Sequence, residues 1–197
     1  MQSLDQLNKN ELRKLHREPT DYVLNAHSPC LDEVTQRFIT MSSMLLIASI
    51  NQNGDIDISP RGGPSGFVTI LDKKHIAFLS QMGNNKLMTL SNVLENNRVG
   101  LMFIVPGATE IIRMYGNATV TSDQDFILSL GGNLKRNMTA VCIEITKVFP
   151  HCSTALNRSG FWNEESWLDK NEHNIPSLQE MAEGLITCRE DIEKKQV

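Results

Sequence analysis

The chain has 197 residues, a formal net charge of −4 and a hydrophobic share of 40%, enough to bury a core as one domain with terminal extensions. No apolar run approaches the ~20 residues of a membrane-spanning helix, and the acidic balance argues against a broad nucleic-acid surface, which shows as a basic excess. Four scattered cysteines, Cys30, Cys142, Cys152 and Cys188, form no C-x-x-C pair or zinc pattern, so reduced thiols in a cytoplasmic protein and no metal are expected. The opening Met1-Gln2-Ser3-Leu4-Asp5 lacks the basic and apolar regions of a secretory signal.

In chain order, Asn10 to Leu15 predicts a short helix with one thin apolar edge at Leu12 and Leu15, suited to weak packing on the body or on a partner subunit. Leu31 to Phe38 predicts a second helix with Leu31, Val34 and Phe38 on one face. Met44 to Ile50 is a near-continuous apolar run, and Asn53-Gly54 then marks a hairpin into a strand where Ile56 and Ile58 alternate with Asp55 and Asp57. That alternation predicts a half-buried strand with the isoleucines inward. Phe67 to Ile70 and His75 to Leu79 flank Asp72-Lys73-Lys74 as a second hairpin.

Asn84 to Leu94 places Leu87, Leu90, Val93 and Leu94 at helical spacing, Arg98 to Val105 and Glu110 to Thr121 read as strands, Asp123 as the cap of a helix carrying Phe126, Ile127 and Leu130, and Thr139 to Phe149 as the last strand. The fold class is therefore mainly β with flanking helices (α+β), a small closed or split antiparallel β-barrel of six or seven strands. An N-terminal helical extension over 1–37, a barrel over 38–162 and a C-terminal helical extension over 163–197 are expected. In the last of these, Ser177 opens an amphipathic helix to Ile186.

Two stretches carry chemistry. From Ile58 to Lys86, a strand ends in Ser59-Pro60-Arg61-Gly62-Gly63 and Gly83-Asn84-Asn85-Lys86 opens the next helix. Two cations, small polar side chains and free amides at a helix N-terminus are the equipment of a phosphate seat, while the plain alternative is a glycine-rich turn. After the last strand, His151-Cys152-Ser153-Thr154-Ala155-Leu156-Asn157-Arg158-Ser159-Gly160-Phe161-Trp162 gathers functional side chains. No second cluster completes a tetrahedral metal set, and sequence neighbours such as His151 and Cys152 seldom face one another as nucleophile and base.

Taken together, S-P-R-G (Ser59 to Gly62), G-F-V (Gly66 to Val68), Gly83-Asn84-Asn85-Lys86, V-P-G (Val105 to Gly107), I-R-M-Y-G-N-A (Ile112 to Ala118) and H-C-x-x-A-L-x-R-S-G-x-W (His151 to Trp162) resemble the pyridoxamine 5'-phosphate oxidase-like, FMN-binding split-barrel superfamily. The resemblance spans roughly Phe38 to Trp162. It implies a homodimer with FMN at the subunit interface. It places Ser59, Pro60, Arg61 and Gly62 along the flavin, Ser80, Asn84, Asn85 and Lys86 at the phosphate, and Arg158, Ser159 and Trp162 near the flavin or its pocket. Thr154 stands where relatives are expected to carry Lys, which removes a cation.

The activity the resemblance implies is an FMN-dependent oxidoreductase acting on a small molecule, with an electron donor such as NAD(P)H and with Arg61 or Arg158 stabilising the reduced flavin. The alternative is a non-catalytic flavin-binding or haem-binding module on the same barrel. The divergent C-terminal segment speaks against pyridoxamine phosphate oxidation itself.

Overall fold

The computed structural model describes residues 5–80, 83, 85–136, 138–169 and 172–195. The chain forms two compact units, Met1–Ala155 and Leu156–Val197. In the first, seven strands, β1 (Met44–Ile50), β2 (Ile56–Gly62), β3 (Val68–Ile70), β4 (His75–Ser80), β5 (Arg98–Ile104), β6 (Ile111–Thr121) and β7 (Thr139–His151), form one sheet in the order β2-β1-β5-β6-β7-β4-β3. Every pairing is antiparallel. The sheet curls into a half-barrel with flanking helices, so the fold is the α+β split barrel expected from the sequence. Its edges, β2 and β3, do not pair with each other, and the seam between them stays open.

The concave face carries the core. Leu45 and Ile47 of β1, Leu101 and Phe103 of β5, Met114 of β6, Ile143 of β7 and Phe78 of β4 are buried there, as period-two alternation requires of a sheet with one covered face. Pro60 is tolerated in β2 because this is an edge strand, where a missing N–H can fall on the unpaired side.

Helices α1 (Lys9–Lys14) and α2 (Asp21–Asn25), neither with a buried residue, precede the sheet in the chain, and α3 (Glu33–Met41), α4 (Met88–Glu95) and α5 (Gln124–Ser129) pack on it. Helix α5 is capped by Asp123, whose side chain accepts from the Phe126 amide at 2.7 Å, as its sequence predicts. Helix α2 is an element the sequence reading missed. Between α3 and β1, fully buried Ser42 donates its hydroxyl hydrogen toward the carbonyls of Met44 at 2.7 Å and Ile104 at 2.8 Å. It ties the entry of β1 to the exit of β5. Ser42→Ala should lower stability by about 1 kcal/mol, because these carbonyls lose a buried donor. A urea titration with unchanged slope and a lower midpoint is the expected readout.

Three expectations need correction. Helix α3 starts at Glu33, after the cap Asp32, and not at Leu31; Val34 is 61% exposed and Ile39 is the buried anchor in its place. In β2, Ile56 and Ile58 are 70% and 66% exposed, and Asp57, Ser59 and Arg61 form the half-buried series. The alternation is present, but its apolar side faces outward. Helix α4 begins at Met88, after Leu87 in the left-handed conformation at φ 54°; Leu87 and Leu94 are exposed, whereas Thr89 and Val93 are buried and Leu90 packs beside them. Gly83, Asn85 and Lys86 thus precede the helix and do not form its N-terminus.

The second unit takes up the chain within α6 (Thr154–Ser159) and contains a 3-10 turn at Glu164–Ser166 and α7 (Leu178–Lys195). Ser177 and Glu180 cap α7 reciprocally, each side chain accepting from the other's amide, at 3.2 and 2.7 Å. The helix runs beyond Ile186 to Lys195. No helix among the described residues is long and apolar enough to cross a membrane.

Candidate functional site

The inward side of β2 is polar because it faces a cleft and not the core. That cleft, about 660 Å³, is lined by β2, by Pro64 and Phe67 ahead of β3, by the end of β4, by Gly83, Asn85, Lys86 and Leu87, by the first turn of α4, and by Leu130-Gly131. Such a volume is ordinary for a cofactor cleft. Its wall alternates charge with apolar surface. Asp57, Ser59, Arg61, Ser80, Asn85 and Lys86 supply the polar groups, and Phe67, Leu79, Leu87 and Leu90 supply much of the rest.

Arg61 is held by its own strand. Its Nη1 donates to Ser59 Oγ at 2.6 Å and to the Pro60 carbonyl at 2.9 Å. Burial lowers the guanidinium pKa from its usual value, and the negative charge of Asp57 opposes that shift; an arginine starting this high remains a cation at neutral pH. Across the cleft, Thr89 is 3% exposed and its Oγ1 donates to Asp57 Oδ2 at 3.0 Å, fastening the first turn of α4 to β2.

The approach to α4 has an uncommon backbone. Asn85 at φ 57° and Leu87 at φ 54° are both left-handed, a conformation that asparagine tolerates and leucine adopts at a cost of order 1–3 kcal/mol. These two residues flank Lys86, which lines the cleft.

Of the residues singled out from sequence, Ser59, Pro60, Arg61, Gly62, Ser80, Asn85 and Lys86 come together in this cleft. Asn84 lies outside the described residues. Arg158, Ser159 and Trp162 belong to the second unit, where Ser159 Oγ donates to the Leu156 carbonyl at 3.1 Å and the Trp162 ring meets Phe161 edge-on at 4.8 Å. The Cys152 thiol is exposed and contacts Thr154 Oγ1 at 2.6 Å, which lowers its pKa. No group of three or more metal-ligating residues exists among the described residues.

Sequence reasoning missed Asp57, Thr89 and the Leu130-Gly131 wall. The first was legible in principle: Asp57, Ser59 and Arg61 share one strand face at i, i+2 and i+4.

Fold and cleft together define an antiparallel split-barrel protein with a cation-bearing cleft along one edge of the sheet. Residues 31–152 match the family model described as pyridoxamine 5'-phosphate oxidase. The match covers more than half of the chain, which belongs to this family. No curated protein matches it. Among solved structures, HupZ of Group A Streptococcus is 13% identical with a TM-score of 0.50, over 62% of this chain and 95% of that one. An FMN-binding protein of Syntrophomonas wolfei is 12% identical with a TM-score of 0.43, over 58% and 86%. HutZ of Vibrio cholerae, described as a heme storage protein, is 10% identical with a TM-score of 0.44, over 62% and 96%. At these identities the likeness concerns the fold.

Proposed function

We propose that the chain binds FMN in the cleft between β2 and α4 and acts with it as an oxidoreductase on a small molecule. The observation that carries this reading is the composition of the cleft: cations and small polar groups at Arg61, Ser80, Asn85 and Lys86, beside apolar surface from Phe67, Leu79 and Leu90. A ligand with a phosphate at one end and a flat, partly apolar body fits that wall. Family membership supports the same reading. FMN when bound supplies hydride chemistry; the chain's own part is to hold the phosphate, seat the ring and keep a cation, Arg61, close by.

Haem fits the cleft less well. Among the described lining residues there is no His, Cys or Tyr, and the one side chain of an axial-ligand type is Met88, a ligand that serves in company with a histidine. Denaturing the purified protein and identifying what it releases tests the proposal. Stoichiometric FMN, bleached by a reduced nicotinamide before denaturation, is expected. Release of FAD or haem, or failure of saturating FMN to bind, would overturn it.

The reading includes a homodimer. Its support is the convex side of the sheet, where Ile58, Leu46, Met102, Arg113, Tyr115 and Phe149 share one face by strand register. Arg113 lies 5.1 Å from the Phe149 ring centre and donates to the Tyr115 hydroxyl at 3.0 Å. On the same face as the exposed Ile58, this arginine–aromatic cluster has the residue types enriched in interface hot spots. Ile58→Asp should weaken self-association about tenfold or more, read by sedimentation over a dilution series. A variant that sediments as the wild type at every concentration would remove this face from the interface.

A further inference from the structure

The cleft contains one feature that a phosphate seat alone does not call for, a carboxylate. Asp57 lines the cleft with Arg61 and Lys86, and only one of its oxygens has a described partner, Oδ2 accepting from Thr89. Arg61 is engaged with Ser59 and Pro60, and no ion pair joins it to Asp57 among the described residues. An ionised carboxylate accepts hydrogen bonds and donates none. It also repels anions, and here it is joined to the first turn of α4 through the Thr89 hydroxyl and not through the helix's own amides, which no side chain among the described residues caps. The ligand's phosphate is better placed toward Ser80, Asn85 and Lys86, and whatever part of the ligand reaches Asp57 must carry a donor and no negative charge, which on FMN means a neutral one.

We infer that Asp57 is a specificity-determining residue of this cleft, accepting a hydrogen bond from a neutral hydroxyl or N–H of the bound ligand and so fixing which way the ligand lies. This rests on the FMN reading of the same site, and on FMN the donors of that class are the ribityl hydroxyls and the ring N–H, which riboflavin shares. Dissociation constants for FMN and riboflavin, measured by quenching of flavin fluorescence, test it in the wild type, Asp57→Ala, Asp57→Asn and Thr89→Val.

The expected result is that Asp57→Ala weakens both flavins by the same factor, about tenfold, since a hydrogen bond to a charged group is lost from a portion common to both. Asp57→Asn, which keeps an acceptor oxygen and the side-chain shape, should recover part of that loss. Thr89→Val, which removes the support of Asp57 but leaves its acceptor oxygens in place, should lose less affinity for both flavins than Asp57→Ala does. Three results would overturn the assignment: unchanged constants in Asp57→Ala, tighter FMN binding in Asp57→Ala, or a Thr89→Val variant that reproduces the whole loss and so shows Asp57 to act only as a support for α4. A wild-type chain that binds neither flavin would sink the FMN reading and this inference together. A wild type that binds FMN with Asp57→Ala at equal affinity would sink this inference alone.

Discussion

Lys86→Ala should raise the dissociation constant for FMN roughly ten- to a hundredfold while leaving riboflavin binding nearly unchanged. The charged end of Lys86 belongs to an exposed stretch of the cleft wall, and a charge-assisted contact to phosphate contributes about 1.5–3 kcal/mol. The residue precedes α4 and is not part of it, and its side chain is exposed, so the unfolding midpoint should change little. Salt should weaken FMN binding in the wild type more than in the variant, since the lost interaction is the one that ions screen. An unchanged FMN constant in titration would take Lys86 out of the phosphate seat, and an equal loss for riboflavin would show that the substitution had disturbed the cleft as a whole.

Gly116→Ala should cost about 3 kcal/mol of stability. Gly116 lies at the register shift between Tyr115 and Gly116 in the pairing of β6 with β7, at the centre of the sheet. A Cβ placed there would stand 2.5 Å from the Glu144 carbonyl oxygen and 2.6 Å from Ile143 Cγ2. The first of these is backbone and cannot rotate aside, so the bulge itself must move, and overpacking of this kind typically costs about 1–3 kcal/mol. The expected readout is a lower midpoint in denaturant with an unchanged slope. By contrast, at Gly83 and Gly54 a Cβ would meet nothing within 4 Å, and the cost at Gly54 comes from its φ of 89° alone. Equal stability of Gly116→Ala and the wild type would mean that the β6–β7 pairing relaxes more freely than the packing implies.

The limits of β1 and the cap of α5 were legible because local and global signals agree there: Met44 to Ile50 is apolar enough to serve a central strand, and Asp123 precedes a helical run. Strand β2 shows where a period does not carry its own direction. Alternation of isoleucine with aspartate defines two faces, yet which face turns inward depends on what lies across from it. Here the concave side opens to a polar cleft, so Asp57, Ser59 and Arg61 take it and Ile56 and Ile58 face out. Asp57 was overlooked for the same reason, having been assigned to solvent.

Helix α4 shows a second kind of failure. The leucine spacing invites a start at Asn84, but the left-handed Asn85 and Leu87 interrupt the helical path before Met88. Left-handed asparagine is foreseeable from its short polar side chain, whereas left-handed leucine is not. The same displacement moves Lys86 from a helix N-terminus to the loop before it, while leaving it in the cleft. Arg158, Ser159 and Trp162 entered as site residues through resemblance; their own sequence contains nothing that places them.

A crystal structure of the chain grown with FMN tests the central claim most directly. The account predicts one flavin per chain in the cleft between β2 and α4, its phosphate within hydrogen-bond distance of Lys86 and Ser80 and a neutral hydroxyl or N–H against Asp57. Flavin bound away from β2, or lying in the cleft with its phosphate toward Asp57, would contradict it.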